Sequence, residues 1–189
     1  IFLSISATRR ELLTSSTFRV GGPTRALVEP GSAEDVKSVV EFCKSEQIPY
    51  YIVGNGSNLL VSDKGYDGVI IHLFKNMSAM RIEGNKVYVQ AGALLSKVAV
   101  QAGRKGLTGM EFASGIPGTI GGALVMNAGA YGGEMKDVVR LVQVMCEDGS
   151  FREYTGAEME FGYRTSRVLH EKSVALEAVL ELTPGDPTA

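Results

Sequence analysis

Glycine restricts this chain more than any other residue type. Of 23 glycines in 189 residues, many lie between Gly103 and Gly133, interleaved with Ile, Leu, Val, Met and Phe. That mixture is no flexible linker. A glycine inside an apolar, non-repetitive segment marks backbone that turns tightly or approaches something closely, because it alone lacks a colliding Cβ. A bound ligand is the simplest such object. A net charge of −2, with 44% apolar and 21% charged residues, fits an ordinary soluble globular protein and carries no basic excess for nucleic acid. The length suffices for one large or two small domains whose core needs neither disulfide nor metal. Apolar runs such as residues 69–73 fall far short of the ~20 residues of a membrane-spanning helix. The opening Ile1-Phe2-Leu3-Ser4-Ile5-Ser6 has no preceding basic residues and no following cleavage site, so it reads as an internal start. Cys43 falls on the apolar stripe of a predicted helix, far from Cys146, which suits reduced thiols and a cytoplasmic protein. Nothing in the chain requires an oligomer, so a monomer is expected.

An extended stretch, Arg25-Ala26-Leu27-Val28-Glu29, precedes a helix that Ser32 can cap, with Asp35 at the third helical position. Val36, Val39, Val40 and Cys43 recur at helical spacing and should face a sheet, with Glu34, Lys37, Glu41 and Lys44 toward solvent. Pro49 opens a buried strand over residues 50–53 and another strand covers 69–73. Residues 17–74 therefore read as a small α/β unit with some parallel pairing. Next, Met80-Arg81-Ile82-Glu83 and Lys86-Val87-Tyr88-Val89-Gln90 flank Gly84-Asn85 as an antiparallel hairpin. Leu95, Val98, Ala99 and Ala102 mark a second helix that ends near residues 103–106. Beyond the glycine-rich stretch, residues 138–147 and 151–154 flank Asp148-Gly149 as a second hairpin. Thr155 and Glu158 suggest the capping box of a further helix, and residues 173–182 a final strand. Residues 75–185 thus form a second unit of antiparallel sheet plus helices, with residues 1–16 as an N-terminal extension and 186–189 as the start of a linker. The fold class is α+β, two subdomains each contributing a glycine-rich loop, with a cleft expected where they meet.

Three elements carry chemistry. Gly54-Asn55-Gly56-Ser57-Asn58 directly follows the strand over 50–53, so successive N–H groups and a hydroxyl can converge on a phosphate or pyrophosphate; a turn that binds nothing is the alternative. Leu59 stands where the third glycine of G-x-G-x-x-G belongs, and no Gly-Lys-Ser/Thr marks a P-loop, so neither nucleotide fingerprint is present. In Ser114-Gly115-Ile116-Pro117-Gly118-Thr119-Ile120-Gly121-Gly122-Ala123, a turn at Pro117 and Gly118 precedes a short helix. If Thr119 caps it, free N–H groups and about half a positive charge of macrodipole favour an anion there. Close backbone packing through Gly121, Gly122 and Ala123 is the competing explanation, and both can hold. In Phe161-Gly162-Tyr163-Arg164-Thr165-Ser166-Arg167, Arg164 can grip a carboxylate bidentately, or make a surface salt bridge beside a snorkelling tyrosine. His72 and His170 read as structural or exposed, and no metal-ligand spacing occurs.

In this order and at these separations, the three elements resemble the UDP-N-acetylenolpyruvoylglucosamine reductases, also called UDP-N-acetylmuramate dehydrogenases, of the vanillyl-alcohol-oxidase-like FAD-binding fold. The likeness runs through Thr17-Phe18-Arg19-Val20-Gly21-Gly22, Leu59-Leu60-Val61, Gly109-Met110-Glu111-Phe112-Ala113, Asn127-Ala128-Gly129-Ala130-Tyr131-Gly132-Gly133 and Tyr163-Arg164. Residues 109–117 look most like the shorter, type II branch. The resemblance implies noncovalent FAD, held around its pyrophosphate and isoalloxazine by Gly54, Asn55, Gly56, Ser57, Asn58, Leu59 and Gly92, and by Ser114, Gly115, Ile116, Pro117, Gly118, Thr119, Gly121 and Gly122. It implies NADPH as hydride donor to the flavin, hydride transfer to the enolpyruvyl β-carbon of a UDP-sugar in peptidoglycan precursor synthesis, and protonation of the adjacent carbon by a serine. Arg164 matches the family's catalytic arginine, whose task is to stabilise charge developing on the enolpyruvyl carboxylate; Tyr163 is a neighbouring substrate-binding candidate. The family's serine, late glutamate and C-terminal substrate domain have no counterpart before Ala189, so these residues alone are not expected to turn over. Two other readings stay open. One is a different FAD oxidase of the same fold, many of which attach flavin through a His or Cys that residues 50–68 lack; the other is a non-catalytic flavin-binding module.

Overall fold

A computed structural model of the chain describes residues 7–8 and 22–185. The expectations for residues 1–6, 9–21 and 186–189, which include most of the motif beginning at Thr17, lie outside the described residues. The chain divides into two units, Ile1–Met77 and Ser78–Ala189.

Unit 1 contains β1 (Ala7–Thr8), β2 (Thr24–Val28), α1 (Ala33–Ser45), β3 (Tyr50–Val53) and β4 (Tyr66–His72). The strands form one sheet in the order β1-β2-β4-β3, with β4 parallel to both β2 and β3 and β1 antiparallel to β2. Helix α1 forms where the sequence places it. Ser32, extended at the N-cap, accepts the Asp35 amide on its Oγ, and Val36, Val39, Val40 and Cys43 are its buried face. Such a cap satisfies one orphan donor and contributes about 1 kcal/mol. Burial pushes the Cys43 thiol up from its ordinary value, as suits a small apolar core side chain. The expectation of a buried strand over 50–53 is corrected. β3 is the sheet's edge and Tyr51 stands 53% exposed, whereas Val69, Ile70 and Ile71 on the central β4 are buried. A short apolar run does not reveal whether its strand has one neighbour or two.

Unit 2 runs through β5 (Met80–Glu83), β6 (Lys86–Gln90), α2 (Leu95–Arg104), β7 (Leu107–Thr108), α3 (Ile120–Met126), β8 (Gly129–Ala130), β9 (Gly133–Glu134), β10 (Val139–Met145), β11 (Phe151–Thr155), α4 (Arg167–His170), β12 (Val174–Glu181) and β13 (Thr183–Pro184). Its main sheet is antiparallel, in the order β11-β10-β12-β6-β5. The faces Leu95, Val98, Ala99 and Ala102 of α2 and Ile120, Ala123 and Leu124 of α3 share one core with Val87, Val142, Val144 and Leu180 of the sheet. Each buried Val, Leu or Ile among these contributes about 1.5–3 kcal/mol relative to exposure.

The helix expected after Thr155 is absent. The capping box itself exists: Glu158 Oε2 accepts from both the N–H and the hydroxyl of Thr155 at 2.8 Å, and the Glu158 amide reaches Thr155 Oγ1 at 3.4 Å. Residues 156–160 nevertheless make only a turn, because Glu160 adopts φ 49°, the left-handed region that ends a helix. A few residues between Gly156 and Gly162 cannot offset the cost of nucleating one. Helical backbone returns one step later, in α4.

Candidate functional site

The glycine-rich turn before α3 is laced to the start of α2. The Leu95 amide donates to Gly118 O at 3.0 Å, and the amides of Ile120 and Gly121 donate to the carbonyls of Ala93 and Ala91 at 2.9 and 2.8 Å. Gly92 lies buried between those two acceptors. The expectation of a free, anion-seeking helix start is therefore corrected: these two amides already have protein acceptors, and Thr119 makes no side-chain capping bond.

Two neighbouring glycines separate packing from approach. A Cβ on Gly121 would stand 3.0 Å from Ala91 Cβ and 3.2 Å from Ala91 O, so tight packing explains that glycine. Gly122 is exposed and its Cβ would meet only Thr119 Oγ1 at 3.8 Å, while a Cβ on Gly115 would meet nothing within 4 Å. Neither Gly115 nor Gly122 has a positive φ. No atom of the described residues requires glycine at 115 or 122, and backbone bared in this way admits a ligand closely. Ser114 and Pro117 are also exposed, Ile116 is half-buried, and the Ser114 hydroxyl donates to Glu111 O at 2.9 Å.

In unit 1, Gly54 and Asn55 bend away from the end of β3, Gly56 is buried at φ 67°, and Ser57 and Asn58 complete a turn with Asn58 exposed. Leu59 packs, partly buried, against Leu27, Val53 and Ile70. His72, paired with Val53 across the β3–β4 ladder, is 8% exposed, and its buried Nδ1 has no hydrogen-bond partner among the described residues. Its Nδ1 is 3.5 Å from Glu29 Oε1, and Glu29 pairs with Lys75 at 2.7 Å. Burial pushes the imidazole below its usual value against the pull of Glu29, and the Lys75 hydrogen bond holds the Glu29 carboxyl low. His72 is thus structural: it braces the strand end from which the loop departs.

Arg164 belongs to a third arrangement. Gly162 and Thr165 bond each other's backbone, at 3.1 and 3.4 Å, and close a turn with Tyr163 and Arg164 at its tip. Tyr163 is 92% exposed, Arg164 adopts φ 55°, and its guanidinium lies 5.8 Å from the Tyr163 ring. Both side chains line a cavity of about 260 Å³ together with Asn127, Tyr131 and Glu134 from the segment that follows α3. Among the described residues Arg164 has no carboxylate partner, whereas Arg167 bonds Glu171 Oε1 at 2.8 Å. The surface salt bridge weighed for this segment falls on Arg167, and the planar fork of Arg164 bonds no carboxylate among the described residues. Asn127 and Glu134 were not singled out in the sequence as site residues. The available signal was an Asn directly after an apolar helix, a C-terminal position that favours left-handed backbone.

Among the described residues, no group of three or more His, Cys, Asp or Glu is placed to hold a metal, and no helix is long and apolar enough to cross a membrane. Residues 24–155 match the family described as FAD binding domain, and the chain belongs to that family. The fold is the expected α+β architecture of the vanillyl-alcohol-oxidase-like class, and its cofactor is FAD.

More particularly, the chain is similar to the UDP-N-acetylenolpyruvoylglucosamine reductases of Alkaliphilus metalliredigens and Clostridioides difficile. Each is 49% identical over 170 residues that cover 90% of this chain and 56% of theirs, so the chain spans about half the length of the curated relatives it matches. The crystal structure of UDP-N-acetylenolpyruvylglucosamine reductase from Thermus caldophilus, 35% identical, aligns with a TM-score of 0.84 over 97% of this chain and 65% of that one. A solvent-stable cholesterol oxidase, 19% identical with a TM-score of 0.74 over 95% of this chain and 38% of its own, shares the fold alone.

Proposed function

We propose that these residues are the FAD-binding part of a UDP-N-acetylenolpyruvoylglucosamine reductase, which uses NADPH to convert its enolpyruvyl substrate to UDP-N-acetylmuramate for peptidoglycan, as a cytoplasmic monomer. The observation that carries this reading is Arg164: an arginine on left-handed backbone, without a carboxylate partner among the described residues, lining a cavity shared with Asn127 and residues 129–134. FAD, held noncovalently, supplies the hydride chemistry. Amides and polar side chains of residues 54–58 would hold its pyrophosphate, and the bare backbone at Gly115 and Gly122 would admit the cofactor closely. The Arg164 guanidinium grips the substrate carboxylate with two parallel N–H donors. As hydride reaches the β-carbon, negative charge grows on the adjacent carbon and its carboxylate, and a fixed cation stabilises that state more than the ground state. Tyr163 walls the same cavity and orients the substrate beside Arg164.

Flavin absorbance of the purified chain, recorded before and after denaturation and filtration, tests the cofactor mode. Bands that pass into the filtrate support noncovalent FAD, whereas bands retained with the protein favour a covalent oxidase. In the full-length protein, NADPH should bleach the flavin and UDP-N-acetylenolpyruvoylglucosamine should restore its colour. Restoration by alcohols or sugars, and not by this substrate, would overturn the proposal.

A further inference from the structure

The backbone of Arg164 is unfavourable for a non-glycine residue, at φ 55°, and such a conformation persists only where its surroundings impose it. Its surroundings impose it from both sides. On one side, Asn127 Nδ2 donates to Gly162 O at 3.1 Å. On the other, the Ser166 hydroxyl, fully buried, donates to Val125 O at 2.9 Å. Gly162 and Ser166 bracket Arg164, and both are tied to the last turn of α3 and its cap.

Asn127 carries the greater part. It caps α3 in left-handed backbone (φ 42°) and is 3% exposed. Three of the four hydrogen-bonding positions of its amide are engaged: Nδ2 also donates to Glu134 Oε2 at 2.5 Å, and Oδ1 accepts the Lys136 amide at 3.0 Å. A carboxylate and a carbonyl can only accept, and an amide N–H can only donate, so the orientation of the side chain is fixed by its partners. Glu134 is itself held, by an ion pair with Lys136 and by reciprocal bonds with Asp137. One buried amide thus joins the end of α3, the wall of the cavity and the turn that carries Arg164.

We infer that Asn127 is the positioning residue for Arg164, setting where the guanidinium meets the substrate carboxylate; this rests on the catalytic reading of Arg164 above. A misplacement of about 1 Å, from a change remote from the chemistry, can cost about 100-fold in rate. Asn127→Asp keeps size and tolerance of left-handed backbone but faces a carboxylate toward Glu134 and Gly162 O, while Asn127→Gly keeps the backbone and removes all three bonds.

The test uses the full-length protein and separates two half-reactions: flavin reduction by NADPH, and reoxidation by UDP-N-acetylenolpyruvoylglucosamine. We expect Asn127→Asp to slow reoxidation about 10- to 100-fold while flavin reduction stays within about twofold. In an Arg164→Lys background the same change should add less than about twofold, because both substitutions act on one interaction. Amide exchange should quicken in residues 162–166 and remain unchanged in β10 and β12. Where Asn127→Asp fails to hold FAD, Asn127→Gly decides by the same three readouts. Reoxidation within twofold of the parent, or effects that multiply in full with Arg164→Lys, overturns the inference. If Arg164→Lys itself leaves reoxidation unchanged, the reading of Arg164 fails, and the inference fails with it for that separate reason.

Discussion

Arg164 and Arg167 stand three positions apart in one connection, and the protein uses them in opposite ways. Arg167 closes a triangle. Its Nε bonds Glu171 Oε1 at 2.8 Å, its guanidinium lies 4.5 Å over the Tyr154 ring, and the Tyr154 hydroxyl returns to Glu171 Oε2 at 2.9 Å. Charge, ring face and hydroxyl are all satisfied within unit 2, which is how an arginine holds a fold together. Arg164 has the Tyr163 ring at 5.8 Å but, among the described residues, no carboxylate partner, and it sits on strained backbone kept in place by Asn127 and Ser166. In Arg167 stabilisation resides in the side chain itself. In Arg164 it resides in neighbours that hold the turn, which leaves the guanidinium available to a ligand.

The largest expected effect comes from Arg164→Lys. Loss of a planar two-donor grip on developing charge should slow flavin reoxidation about 100- to 1000-fold, with the melting temperature unchanged. A fall in melting temperature as large as that of Arg167→Ala would break the comparison. Next, Gly121→Val should destabilise unit 2 by about 1–3 kcal/mol through overpacking against Ala91, whereas Gly122→Val should leave urea unfolding unchanged and weaken FAD about tenfold. Equal losses of FAD affinity and stability at both positions would mean that the glycine turn serves packing alone. Arg167→Ala should lower the melting temperature by about 2–4 °C and leave both half-reactions within about twofold.

How much of this could be read from the chain follows the range of each interaction. Helix α1 was legible because its cap, Ser32 to Asp35, and its stripe of Val36, Val39, Val40 and Cys43 are local. The hairpins were legible from their turn residues. The pairing of β12 with β6, which brings Glu177 opposite Gln90, was not, since alternation identifies strands without naming their partners. Nor could Tyr51 on β3 be known to face solvent, because strand order decides that. At the site, resemblance singled out Arg164, but the amide of Asn127 reaches 7, 9 and 35 positions along the chain, beyond any spacing rule. Gly121 and Gly122 are identical letters, and only the position of Ala91 tells them apart.

The smallest effect concerns pH and tests the comparison from the acid side. Arg167 first, and then the Tyr154 hydroxyl, hold the Glu171 carboxyl below its ordinary value. The folded state therefore binds this proton less readily than the unfolded state. The resulting stabilisation is complete above the unfolded value, near pH 4.3, and fades as pH falls through the folded value. Other carboxylates titrate in the same window, so the informative quantity is the gap in urea midpoint between the parent and each variant. For Arg167→Ala that gap should narrow as the solution is acidified below about pH 4.3, since protonation of Glu171 already removes what the substitution removes. For Arg164→Ala the gap should stay flat, because no carboxylate among the described residues bonds that arginine. A gap that narrows for Arg164 as well would mean that it too holds a carboxylate within the fold, and the contrast between the two arginines would be lost.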